Sequence, residues 1–376
     1  MSVDVCPDDR ALRSGRRQRV LEQMAAYDLD VLVLGRQANV RYVTGAPQLW
    51  VAGTRPFGPT CVLMRASGAI HLLSTWDEGV PEDIPHENLY GISWNPMNTM
   101  SALRRIDGAA TARRVGTDAI SPVFAQLLPT AFPRAELVDG ELAMRAARRV
   151  KTAEEVVSLR EAIAVAEKGL AAAVSELRPG ISEQALAGAL LEAVAAGGVS
   201  TPSNQDVAWV TSPDHPWRRA ADGDRVPGRV KDGDLVAFSA GVLAGGYIGE
   251  VGRTWPAGEA RGAAGVYRRW ERLWGRLLAA CRPGVGAGEL LDAYQAAGEP
   301  APPMPVARGL GMGFDPPVIS QHLPATATEE RLEQGMVLAV TGYVWEPGVG
   351  AVFGREAVLI SADGPEVLTS SPSWRE

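Results

Sequence analysis

The sequence predicts an α/β N-terminal domain followed by an α+β C-terminal domain. Three observations carry this. The 376 residues exceed what one core usually holds. The chain opens with a helix-periodic segment that feeds a short apolar run, and beyond residue 200 its texture changes to strand-length runs separated by Gly and Pro. With 46% apolar and 22% charged residues, the composition is that of a globular protein. No apolar run approaches the roughly eighteen residues that a membrane span requires. The N-terminus, MSVDVCPDDRALRSGRRQR, has acids before its basic cluster and no apolar run after it, so neither a signal peptide nor an anchor is expected, and a cytoplasmic location follows.

The first helix is expected from Arg13 to Tyr27, where Val20, Leu21 and Met24 fall at helical spacing, and Leu29 to Gly35 (LDVLVLG) reads as a buried strand. The arginines from Arg13 to Arg19 read as the solvated face of that helix. With a net charge of −7 and no clustered basic face, nucleic acid is not an expected partner. Strands at Thr60 to Met64 and Ala69 to Leu73 follow, then a helix near Met100 to Ile106 and a strand at Val115 to Asp118. MRAARRVK, from Met144 to Lys151, is basic and leads into a long helix; Thr152 with Glu155 three residues later forms a capping box. The boundary between the domains, 1–150 and 151–376, is placed there. A second helix runs from Ser182, its expected N-cap, to Ala196.

Strands are then expected at Asp206 to Thr211 and Leu235 to Ser239, with a Gly-Gly-Tyr hairpin at Gly245 to Tyr247. Helices at Ala264 to Cys281 and Ala287 to Ala297 precede strands at Met336 to Val344, Ala351 to Val352 and Ala357 to Ser361. The C-terminal domain thus reads as helices covering one curved antiparallel sheet. Cys6, Cys61 and Cys281 have no CxxC or His spacing and read as reduced structural thiols.

Six blocks, in order, resemble the creatinase, prolidase and aminopeptidase P family, whose catalytic domain has the pita-bread fold. They are Arg17 to Gly45, Arg148 to Ala162, VKDGDLVAFSAGVLAGGYIGEVGRTWPAG from Val230 to Gly258, ARGLGMGFDPPV from Ala307 to Val318, LEQGMVLAVTGYVW from Leu332 to Trp345, and GREAVLISADGPEVLT from Gly354 to Thr369. The resemblance implies a creatinase N-terminal-like domain, a pita-bread domain and often a homodimer. It also implies two divalent metals held by two Asp, one His and two Glu. Those positions fall here on Ser239, Glu250, Arg308, Thr341 and Arg355, or on Glu356 after a one-residue slip.

This set carries a net charge of about +1, or about −1 with the slip, against the roughly −4 that would balance two divalent ions. Arginine has no lone pair to donate, so no metal and no other cofactor is expected. The resemblance then implies a metal-independent enzyme, hydrolase-like or a lyase, acting on a small carboxylate-bearing or amide substrate. Arg308 and Arg355 would recognise the carboxylate, beside Ser239, Thr341, Tyr247 and Asp315. Glu250, His215 and His322 are the candidates for acid–base chemistry. The register leaves Arg218 or Arg219 nearer than His215 to the family's substrate-facing His, and the family's His-Glu pair falls on Phe314-Asp315 or on Asp315-Pro316. Gly252 and Thr341 stand where creatinase would carry acids, which argues against creatine as substrate.

Two other readings stay open: a pseudoenzyme binding module with this fold, and an Xaa-Pro peptidase with an unusual metal site. The glycines of GLGMG, from Gly309 to Gly313, belong to the family motif and not to a nucleotide loop. Trp209, Trp217, Trp255 and Trp345 lie in segments approaching the cleft, where they either pack the core or line a substrate pocket.

Overall fold

The computed structural model describes residues 10–47, 58–199, 201–204, 207–220, 228–322 and 330–374, apart from the side chain of Phe314. Cys6 and the expected strand start at Asp206 lie outside them. The chain divides into two compact units, one of residues Asp8–Arg148 and one dominated by Arg149–Glu376.

The N-terminal unit runs α1 (Arg10–Ala26), β1 (Val31–Leu34), α2 (Gln37–Thr44), β2 (Cys61–Met64), β3 (Ile70–Leu73), β4 (Leu89–Tyr90), α3 (Pro96–Arg104), β5 (Arg114–Thr117), α4 (Pro122–Ala131), β6 (Glu136–Asp139) and α5 (Glu141–Arg149). Its mixed sheet has the order β4-β3-β2-β1-β5-β6. All four residues of central β1 are buried, as a strand covered on both faces requires. Val31 and Val33 pack with Leu103 of α3 and Leu128 of α4 on one face. One expectation fails here. Arg16 is not solvated but fully buried, its guanidinium lying 5.7 Å from the centroid of the Tyr42 ring, so the arginine run has one residue on the packed side of α1.

The C-terminal unit runs α6 (Ala153–Ser175), α7 (Glu183–Ala196), β7 (Ala208–Val210), β8 (Leu235–Ala244), β9 (Tyr247–Pro256), α8 (Ala263–Ala280), α9 (Glu289–Ala297), β10 (Ala307–Leu310), β11 (Phe314–Ile319), β12 (Val337–Glu346), β13 (Gly350–Ser361) and β14 (Gly364–Val367). Among the described residues its sheet has the order β11-β10-β12-β13-β9-β8-β7, with β14 beside β13. The capping box is present: Thr152 Oγ1 accepts from the Glu155 N–H, and the Glu155 carboxylate accepts from the Thr152 N–H. Ser182 caps α7 by accepting from the Ala185 N–H. Gly245 and Gly246 turn the β8–β9 hairpin with φ of 57° and 90°, a conformation two successive L side chains would resist.

Successive strand residues point to opposite faces, and this alternation separates the helices from the site. On the outer face, Gly249 of β9 lies under α6, where an added Cβ would meet the Ala162 carbonyl at 2.1 Å. Gly342 and Gly354, paired across β12 and β13, lie under Trp270 of α8, whose Nε1–H donates to the Gly342 carbonyl at 3.0 Å. The inner face carries the candidate site.

Candidate active site

One row of residues crosses four strands. Ser239 of β8 is opposite Gly252 of β9, Gly252 is opposite Arg355 of β13, and Arg355 is opposite Thr341 of β12. Gly252 leaves the middle of the row open, since a Cβ there would come within 2.5 Å of the Phe353 ring and 2.9 Å of Arg355 Cβ. The Arg355 side chain occupies this opening. Its Nε–H donates to Thr341 Oγ1 at 3.1 Å, and Nη1 donates to Ser239 Oγ at 3.4 Å and to Glu250 Oε2 at 3.5 Å. Its guanidinium carbon lies 5.3 Å from the Phe353 ring centroid. Nη2 meets no acceptor among the described residues, although it carries two N–H donors. Burial lowers the Arg355 pKa from its usual value, which nearby Glu250 counters and nearby Arg308 reinforces.

Glu250 is fully buried and bound by both arginines: Arg308 Nη2 donates to both of its oxygens, and Arg355 flanks it. A carboxylate so buried needs such partners, because an uncompensated charge in the interior is costly. Ser239 Oγ accepts from Asn204 Nδ2 at 2.9 Å. Alternation also decides the one-residue ambiguity. Glu356 is on the face opposite Arg355, where it pairs with Arg253 at 2.7 Å and accepts from Thr369 Oγ1; burial raises its pKa, against the lowering by Arg253 and Thr369.

Above this row lies a cavity of about 450 Å³ lined by Ser203, Asn204, Trp209, Trp217, Arg218, Arg219, Ser239, Met304, Tyr343, Phe353 and Arg355. Trp209 and Trp217, from two of the four tryptophan segments expected near the cleft, are on its wall; Trp345 packs behind it and donates its Nε1–H to the Ser212 carbonyl at 2.8 Å, and Trp255 meets Phe238 edge-on.

Arg218 and Arg219, either of which was expected nearer than His215 to the substrate-facing position, are both on its wall, whereas Asp315, Tyr247, His215 and His322 do not line it. Asp315 is not at a rim: its carboxylate is buried against Lys151 at 2.9 Å, with both side chains 1% exposed. The Tyr247 hydroxyl is committed to Glu155, the capping-box carboxylate, at 3.1 Å. His215 and His322 are both exposed, in turns whose backbone N–H groups donate to Ser212 Oγ and Ser320 Oγ. Asn204, Phe353 and Met304 were not singled out by the sequence. Phe353 had a usable signal, standing two residues before Arg355 and therefore on the same strand face.

The residues of this row, with Glu250 and Arg308 beside it, do not suit a divalent metal. Ser239 and Thr341 offer only hydroxyls, Glu250 has both oxygens engaged by Arg308, and the two guanidiniums bring positive charge and no lone pair. Among the described residues, no three His, Cys, Asp or Glu side chains gather as a metal would require.

Two family profiles match the chain: the creatinase/prolidase N-terminal domain over residues 16–150 and metallopeptidase family M24 over residues 157–362. The chain therefore belongs to metallopeptidase family M24, a family of hydrolases, with a creatinase-type N-terminal domain. "Putative dipeptidase YkvY" of Bacillus subtilis (strain 168) is 26% identical over 95% of this chain and 98% of its own. The solved prolidase from Pyrococcus horikoshii OT3 superposes with a TM-score of 0.75 at 18% identity, covering 95% of this chain and 99% of that one. Dipeptidase PepE from Mycobacterium ulcerans gives 0.73 at 22% identity, covering 99% and 98%. These likenesses establish the prolidase-type pita-bread fold.

Proposed function

We propose that the C-terminal unit recognises a small carboxylate-bearing molecule through Arg355 without a divalent metal, and acts by acid–base chemistry on an amide or neighbouring C–N bond. The observation that carries the recognition step is that Arg355 lines a 450 Å³ cavity while its Nη2 has no acceptor among the described residues. A planar guanidinium with unused donors suits a carboxylate. Thr341, Ser239 and Glu250 hold the guanidinium in place, and Arg308 neutralises Glu250. Family membership, and relatives named as peptidases and dipeptidases, support an amide substrate of dipeptide size.

A second reading, a carboxylate-binding module without turnover, is favoured by two observations. No carboxylate or imidazole lines the cavity among the described residues, and Glu250 is held by two arginines. An Xaa-Pro peptidase with an unusual metal site is the reading that the donor set supports least. A cytoplasmic homodimer accompanies the proposal, and light scattering at micromolar concentration tests the dimer.

The deciding experiment has three measurements. Protein purified without chelator should contain well under one divalent ion per chain. Amino acids, dipeptides and guanidino acids should raise its melting temperature, by an amount that Arg355→Ala abolishes and Arg308→Ala reduces. Mass spectrometry of the incubated dipeptides then separates hydrolysis from binding alone. Full metal occupancy with metal-dependent turnover would overturn the proposal, as would equal stabilisation of the wild type and Arg355→Ala.

A further inference from the structure

The cavity wall is aromatic as well as cationic, and its geometry narrows the ligand class. Trp209 and Phe353 stand with ring centroids 5.4 Å apart and tilted by 51°, and Trp217 and Tyr343 stand 4.4 Å apart, tilted by 42°. Trp217 is held in a conformation that bulky residues avoid, with φ at 65°. Its N–H donates to the Tyr343 hydroxyl at 3.2 Å, so the ring that it packs against also pins its backbone. Trp217 is half-buried and lines the cavity, and a strained backbone held beside a cavity is the arrangement expected where a side chain is positioned for a ligand.

We infer that the cavity takes a planar aromatic ring carrying a carboxylate, the ring against Trp209 and Trp217 and the carboxylate on Arg355. The inference rests on the Arg355 reading above. The charge of the wall chooses among ligands that aromatic walls can bind. Such walls also suit organic cations, but Arg355 and Arg218 line this one, and among the described residues no acid does. The Arg218 side chain meets no acceptor among the described residues and adds positive charge, whereas Arg219, the third arginine on the wall, pairs with Glu183 at 3.3 Å. A volume of about 450 Å³ is near the lower end of small-molecule sites, which suits one or two fused rings with a short acidic arm rather than a long peptide.

Calorimetric titration with phenylacetate, indole-3-acetate, cyclohexylacetate and phenylacetamide tests the inference. Cyclohexylacetate keeps the charge and approximate size but removes the π-face, and its greater hydrophobicity works against the expected result. Phenylacetamide keeps the ring and removes the charge. The two aromatic acids should bind about tenfold more tightly than cyclohexylacetate. Trp209→Leu, and separately Trp217→Gly, which relaxes the backbone at that position, should weaken the aromatic acids more than cyclohexylacetate and so erase this preference. Equal binding of phenylacetate and cyclohexylacetate to the wild type would overturn the aromatic assignment and leave the Arg355 reading standing. If phenylacetamide binds as well as phenylacetate, or if no acid binds, both fall.

Discussion

Removing the Glu250 carboxylate should be among the costliest single changes in the site. Glu250→Gln leaves the Arg308 charge buried without its counter-ion, so chemical denaturation should report a loss of about 3–5 kcal/mol. Replacing both members, Glu250→Leu with Arg308→Met, should recover most of that loss. Asp30 offers a pH test in the N-terminal unit. Burial works to raise its pKa, but the Arg113 N–H, the Arg65 guanidinium and the Arg114 N–H outweigh it and hold the pKa below the usual aspartate value. A depressed folded-state pKa gives stability that is complete above the unfolded value of about 3.9 and is lost as the pH falls through the folded value. Asp30→Asn should therefore cost about 1 kcal/mol at neutral pH and flatten the acid limb of a stability–pH profile below about pH 4. At this scale the sequence was uneven. Ser239, Glu250, Arg308, Thr341 and Arg355 were singled out through the family resemblance, as the positions of its metal ligands, and hydrogen bonds link them in the structure. Asp315 and Tyr247 were misplaced because their partners, Lys151 and Glu155, lie 164 and 92 positions away in the chain. No local pattern announces such a pair.

Elements with a local start signal were legible. The Thr152 capping box, the Ser182 cap and the paired glycines of the β8–β9 turn all act within a few residues of themselves. Helix α2 was missed: its N-cap, Arg36, makes no side-chain capping bond. Helix α5 was also missed, since the basic run MRAARRVK conceals its packed side. Arg148 on that side is buried beside Glu141 and Asn39, so the charge pattern hides the periodicity. The long strand β13 was read as two because Gly354 interrupts its apolar pattern, and the reason is the α8 indole above it: a Cβ on Gly354 would come within 2.2 Å of the Trp270 ring. Gly354→Ala should lower stability by about 1–3 kcal/mol through overpacking, and Trp270→Leu in the same chain should restore part of it. Thermal unfolding of the two variants checks both.

Across the whole chain, the two compact units can be followed by thiols already present. Cys61 is in the N-terminal unit and Cys281 in the C-terminal unit; both are buried, and burial pushes both thiols up, Cys281 to about 12. Each should react with an alkylating agent only when its surroundings open. Pulsed alkylation read by mass spectrometry, on a Cys6→Ser background, should show Asp30→Asn speeding the labelling of Cys61 more than that of Cys281. Glu250→Gln should do the reverse, and identical acceleration of both thiols would show that the units open only together. The trough of Gly342 and Gly354 beneath Trp270 bears on how such a chain can diverge. Either glycine gains a side chain safely only after the indole has become smaller, so descendants must accept these changes in that order, and a lineage that keeps the tryptophan keeps both glycines with it.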